Sequence, residues 1–119
     1  MNDKHSAMVE DLVKPGKTIV SELTATDAHN LHMVVGIVGE AGELLDAIKK
    51  STIYRKELDR ENVIEELGDI EFYLQGLRHS LGITREETLE ANIVKLGKRY
   101  SEGYSDQAAQ DRADKEKGE

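Results

Sequence analysis

Four carboxylates in two pairs, Glu40-x-x-Glu43 and Glu66-x-x-Asp69, have the types and the spacing to do chemistry. A spacing of three sets each pair on one face of a helix, neighbours across a single turn. Two such helices laid side by side would aim four acids at one spot. Two like charges about 6 Å apart cost roughly 3 kcal/mol at an effective dielectric near 20. A positive group has to occupy that spot, and hard divalent cations such as Mg2+ prefer oxygen ligands of this kind.

The elements that must position these acids read as helices separated by short turns. Pro15-Gly16 ends a short N-terminal helical pattern carrying Met8 and Leu12. A second helix is expected from about Ala28 to Lys50, with Asp27 as N-cap. A polar connection over residues 51–58 leads to a third helix from about Asp59 to Ser80. Gly82 closes that helix, and Thr84 opens a fourth as a capping box with Glu87, running to about Tyr100. Past Gly103, one more short helix could start at Ser105 before a charged tail. No alternating strand pattern and no repeat is present, so the expected class is all-α, a bundle of four to five helices.

Helical phasing sharpens the picture. In the third helix, Val63, Ile64, Leu67, Ile70, Leu74 and Leu77 form an apolar seam, with Glu66 at its edge and Asp69 on its polar side. In the second, Met33, Val34, Val35, Ile37, Val38, Ala41, Leu44, Leu45 and Ile48 cover over half the circumference. So wide a stripe needs several neighbours or a second subunit, which makes oligomerisation an expectation. Glu40 falls inside that apolar arc, where an unpartnered carboxylate would be costly. Gly36 and Gly39 share its side, and the expectation is that they leave room for a metal and its ligand.

The fourth helix brings the opposite sign. Asn92, Lys95 and Arg99 line one stripe beside the seam of Leu89, Ile93, Leu96 and Tyr100. An amide followed by two cations suits a group that presents metal-bound oxygens first and phosphate oxygens next. Lys49, Lys50, Tyr54 and Lys56, near the connection after the first acidic pair, are further candidates for contact with phosphate or base. His29 and His32 are read as packing or capping groups rather than ligands, Glu71 as solvated, and Tyr73 as core.

Composition sets the outer bounds. At 119 residues the chain is one domain, and it has no cysteine for disulfide or thiolate chemistry. The formal charge of −8 argues against a DNA or RNA polymer as partner, leaving small phosphorylated ligands carried by metal ions. No stretch approaches the roughly 20 apolar residues of a membrane span. The first residues lack the apolar run of a signal peptide, so a cytoplasmic location is expected.

The segments GIVGEAGELLDAIKK, NVIEELGDIEFYLQGL and EANIVKLGKRYSEGYS together resemble the MazG-like nucleotide pyrophosphohydrolases of the all-α NTP pyrophosphatase superfamily, over about Leu31 to Arg112. The matching order is E-x-x-E, E-x-x-D and N-x-x-K-x-x-x-R, with 22 residues between Glu43 and Glu66. The resemblance implies Mg2+-dependent hydrolysis of a nucleoside triphosphate to its monophosphate and diphosphate, with Mn2+ able to substitute. It assigns Glu40, Glu43, Glu66 and Asp69 to metal, with Glu43 or Glu40 catalytic, and Asn92, Lys95 and Arg99 to substrate phosphates. It implies a homodimer or homotetramer and a lean toward (d)GTP in nucleotide-pool control; the chain pattern itself is read as a domain over 1–104 with 105–119 as polar helix or tail. Three alternatives stand beside it: a phosphoribosyl-ATP pyrophosphohydrolase, a ferritin-like di-iron protein, and a helical binding or oligomerisation module without turnover. The di-iron reading wants Glu-x-x-His, which neither pair supplies.

Overall fold

The computed structural model describes residues 3–100, which form five helices: α1 (Asp3–Leu12), α2 (Gly16–Glu22), α3 (Ala25–Thr52), α4 (Arg60–Leu81) and α5 (Arg85–Arg99). No strand occurs among the described residues. The expected all-α class holds, and the anticipated segment beyond Ser105 lies outside the described residues.

Local chemistry explains most boundaries. Thr84 and Glu87 form the reciprocal capping box read from the sequence: the Glu87 amide donates to Thr84 Oγ1 at 3.0 Å, and the Thr84 amide donates to Glu87 Oε1 at 3.1 Å. Asp59 caps α4 by accepting from the Asn62 amide at 3.1 Å. Gly82 ends α4 in the left-handed region at φ 67°, where its lack of a Cβ removes the strain. The Ile83 amide then returns to the Arg78 carbonyl at 2.9 Å.

Two boundaries differ from expectation. The cap of α3 is Thr24, not Asp27; the Asp27 amide donates to Thr24 Oγ1 at 3.0 Å, while its carboxylate accepts from the Thr24 amide at 3.1 Å. Asp27 serves as the third residue of a capping box, so the helix starts before Ala28. The sequence reading also missed α2. Pro15, which ends α1, sits at φ −60° and ψ 137° and leads directly into the next helix, while Lys14 pairs with Glu22 at 2.7 Å across the turn.

Among the described helices, only α3 and α4 pack along their length. They run antiparallel, as shown by the pairing of Met33 with Gly76, Gly36 with Tyr73, and Asn30 with Ser80, whose hydroxyl donates to Asn30 Oδ1 at 2.6 Å. The face α4 turns to α3 is therefore Glu66, Tyr73, Gly76 and Ser80. Of the apolar seam, Val63, Ile70, Leu74 and Leu77 are half-buried, while Ile64 and Leu67 are 56% and 49% exposed. On α3, only Met33 and Ala47 are buried, and Val38 and Leu45 remain 67% exposed. One chain does not bury the stripe that the sequence carries.

Gly36 also serves a different purpose from the one expected. A Cβ there would overlap the Tyr73 ring, so this glycine admits an aromatic side chain rather than a metal. Gly76 likewise admits the Met33 side chain, whereas a Cβ at Gly39 would meet nothing. Tyr73 is half-buried against the α3 backbone, with Phe72 edge-on at 5.1 Å between ring centroids. Gly36→Ala should lower unfolding stability by about 1–3 kcal/mol in urea titration, because the ring has no slack. Gly76→Ala should cost less, since the Met33 thioether can move aside. Equal costs at both positions would contradict this account of the helix contact.

Candidate metal centre

The antiparallel pairing that joins Gly36 to Tyr73 and Met33 to Gly76 continues one turn further, setting Glu40 opposite Asp69. One carboxylate oxygen from each of Glu40, Glu66 and Asp69 lies within 4.8 Å of the others. Glu40 and Glu66 are half-buried between the helices, and Asp69 is exposed at the rim. Six oxygens around Mg2+ at about 2.1 Å would stand roughly 3–4 Å apart, so modest rotamer adjustment brings all three onto one ion.

Two observations fit a cation at these acids. Oε2 of Glu66 is buried and has no hydrogen-bond partner, although a buried carboxylate oxygen ordinarily has one. The Glu66 carboxyl is also pushed up from its ordinary 4.5 to about 7. The leading cause is a hydrogen bond with the Glu40 side chain, in which one proton serves two carboxyls. Burial adds to it, followed by the negative charges of Glu40, Asp69 and Glu43. An all-oxygen, all-anionic donor set of this kind suits a hard divalent cation.

The other sequence candidates are placed differently. Glu43 is exposed; Glu66 feels its charge, but its oxygens stand outside the group of three. Lys49 lies over the Tyr54 ring at 5.7 Å, and Lys50 pairs with Asp46 at 3.2 Å. The Lys56 amide donates to the Lys50 carbonyl, closing the turn after α3. None of these contacts reaches the acids. Asn92 is exposed, while Lys95 and Arg99 are half-buried on α5. Because α5 leaves at the Gly82 turn without packing along α3 or α4, the stripe is not brought to the acids by that packing.

The remaining groups have structural partners. His29 Nε2 lies 3.3 Å from the Gly76 carbonyl oxygen, and the His32 ring centroid is 6.2 Å from that of Tyr73. Glu71 is exposed and lies 3.7 Å from the Arg78 guanidinium. The sequence reading overlooked that Arg78 also contacts Gln75, an i,i+3 relation open to inspection in any helix.

A family model described as the MazG nucleotide pyrophosphohydrolase domain matches residues 28–103. The Gene 37 protein of Mycobacterium phage L5 is 30% identical over 77 residues, covering 60% of this chain and 67% of that protein. No solved structure matches. No described helix is long and apolar enough to cross a membrane.

The raised Glu66 carboxyl makes stability depend on pH. Below about 4.5 this group is protonated in both folded and unfolded chains and costs nothing. As pH rises toward 7, the unfolded chain gives up its proton first, so folding loses stability. In EDTA, the melting temperature of the wild type should therefore fall relative to Glu66→Gln between pH 4.5 and 7. Saturating Mg2+ at pH 7 should reverse the order, because only the wild type keeps the full anionic set. A difference that ignores both pH and Mg2+ would contradict the shared-proton account.

Proposed function

The chain belongs to the MazG nucleotide pyrophosphohydrolase domain family, and we propose that it hydrolyses a nucleoside triphosphate to its monophosphate and diphosphate at the Glu40, Glu66 and Asp69 cluster. The observation that carries this reading is the buried, unpartnered oxygen of Glu66 among converging carboxylates. Those three side chains hold the cation, Mg2+ or Mn2+ in its place. When bound, the ion supplies charge neutralisation for the triphosphate and a more acidic water.

The protein's own groups divide the remaining work. Glu43, exposed and outside the group of three, keeps a free carboxylate one turn from Glu40 and accepts the proton of the attacking water. Charge building on the departing diphosphate needs cations, which Lys95 and Arg99 supply, with Asn92 orienting the phosphates. That role requires α5 to lie against the hairpin, and assembly of two or four copies brings it there. The exposed Val35, Val38, Leu45, Ile64 and Leu67 support such assembly, because a lone chain leaves them in water. Among substrates the reading leans toward (d)GTP, in control of the cytoplasmic nucleotide pool. Lys49, Tyr54 and Lys56, exposed around the turn after α3, are secondary contacts for phosphate or base.

A panel of (d)NTPs with Mg2+, its products resolved by anion-exchange chromatography, tests the activity. Monophosphate and diphosphate should appear in equal amounts, and release of single phosphate would contradict the proposed bond cleavage. Glu40→Gln or Asp69→Asn should lower kcat/KM by more than the roughly 10–100-fold that second-shell changes around metals cost, with helical circular dichroism retained. Wild-type turnover in either variant would remove that residue from the centre.

A further inference from the structure

A second feature of the α3–α4 hairpin lies beyond the acids. A cleft of about 510 Å³ opens between the helices, lined by His29, Met33, Phe72, Gln75, Gly76 and His79. Met33 and Gly76 each stand seven residues from Glu40 and Asp69, roughly 10 Å along helices that rise 1.5 Å per residue. We infer that this cleft is the subsite for the nucleobase, with Phe72 as stacking wall and Gln75 and His29 as its hydrogen-bonding edge. The inference rests on the nucleotide reading above and extends it to the part of the ligand remote from the phosphates.

The polar groups of the cleft are already oriented. Arginine can only donate, so its Nε and Nη2 contacts, at 3.4 and 3.3 Å, fix the Gln75 oxygen toward Arg78. The Gln75 amide nitrogen is left as a donor. Arg78 is itself held, its side chain only 12% exposed and its guanidinium 3.7 Å from Glu71. A carbonyl can only accept, so His29 Nε2 carries the proton toward Gly76, leaving Nδ1 as an acceptor. An amide and an imidazole beside an aromatic ring are groups that can meet the rim and the face of a purine or pyrimidine. Phe72 is 69% exposed, its ring perpendicular to that of Tyr73, so much of its surface is open to a stacking partner.

The test follows binding rather than turnover. Non-hydrolysable analogues of the four dNTPs, and inorganic tripolyphosphate, are titrated with Mg2+ by calorimetry while the Met33 methyl resonance is recorded. The analogues should shift that methyl, and tripolyphosphate should not. Gln75→Leu should weaken at least one nucleotide tenfold or more, and Phe72→Ala all four, with tripolyphosphate affinity unchanged within twofold. Arg78→Met, which frees the Gln75 amide to turn, should narrow the differences between bases and leave tripolyphosphate untouched. Nucleotide affinities within twofold of wild type in both Gln75→Leu and Phe72→Ala would overturn the inference. So would an equal methyl shift from tripolyphosphate, or one that depends only on protein concentration, which would put a second copy in the cleft. If tripolyphosphate fails to bind, the proposed activity falls, and a nucleoside decides the cleft: a Met33 shift supports it and none overturns it.

Discussion

Mutual repulsion of carboxylates at a helix–helix contact is the constraint on which this structure depends. Glu40 and Glu66 face each other between α3 and α4, where apolar side chains would ordinarily pack. Asp69 adds a third charge at the rim. Without a cation, the proton that Glu66 retains to about pH 7 partly relieves the strain. In the proposed centre a divalent ion would relieve it further by neutralising all three carboxylates.

Packing around that contact keeps the acids in register. Gly36 lets the Tyr73 ring close on α3, and Gly76 lets Met33 close on α4, so two mutual insertions fix the helices one and two turns from the charges. The link between Ser80 and Asn30 pins the far end. The apolar residues that make up most of α3 contribute little within one chain, since only Met33 and Ala47 are buried. The hairpin thus sets the site geometry, while Val35, Val38, Leu45, Ile64 and Leu67 stay exposed among the described residues.

The sequence was legible where short-range chemistry decides. Thr84 with Glu87, and Asp59, cap their helices through side chains bonded three residues away, and Gly82 ends α4 through its left-handed backbone. Three of the four paired acids come together, with Glu43 outside the group. It was less legible where two local solutions compete. Thr24 and Asp27 are both good caps, and the reciprocal pair was read as a single cap. Pro15 was read as a stop although proline also starts helices, and so α2 was missed. The face of α4 was legible in part. Of the seam read from periodicity, Val63, Ile70, Leu74 and Leu77 are half-buried while Ile64 and Leu67 are exposed, and the contacts to α3 also run through Glu66, Tyr73, Gly76 and Ser80. An apolar stripe shows that a surface seeks burial but not which neighbour provides it. The placement of Asn92, Lys95 and Arg99 relative to the acids was beyond sequence reasoning for the same reason.

Carbon-13 NMR of the Glu66 side-chain carboxyl, titrated from pH 4 to 9 with and without Mg2+, probes the charged contact most directly. Without the ion the midpoint should stand near 7, well above an ordinary glutamate. With Mg2+ it should drop below the usual carboxylate range, because the cation displaces the shared proton. A midpoint near 4.5 in both conditions would contradict a cation-dependent centre between α3 and α4.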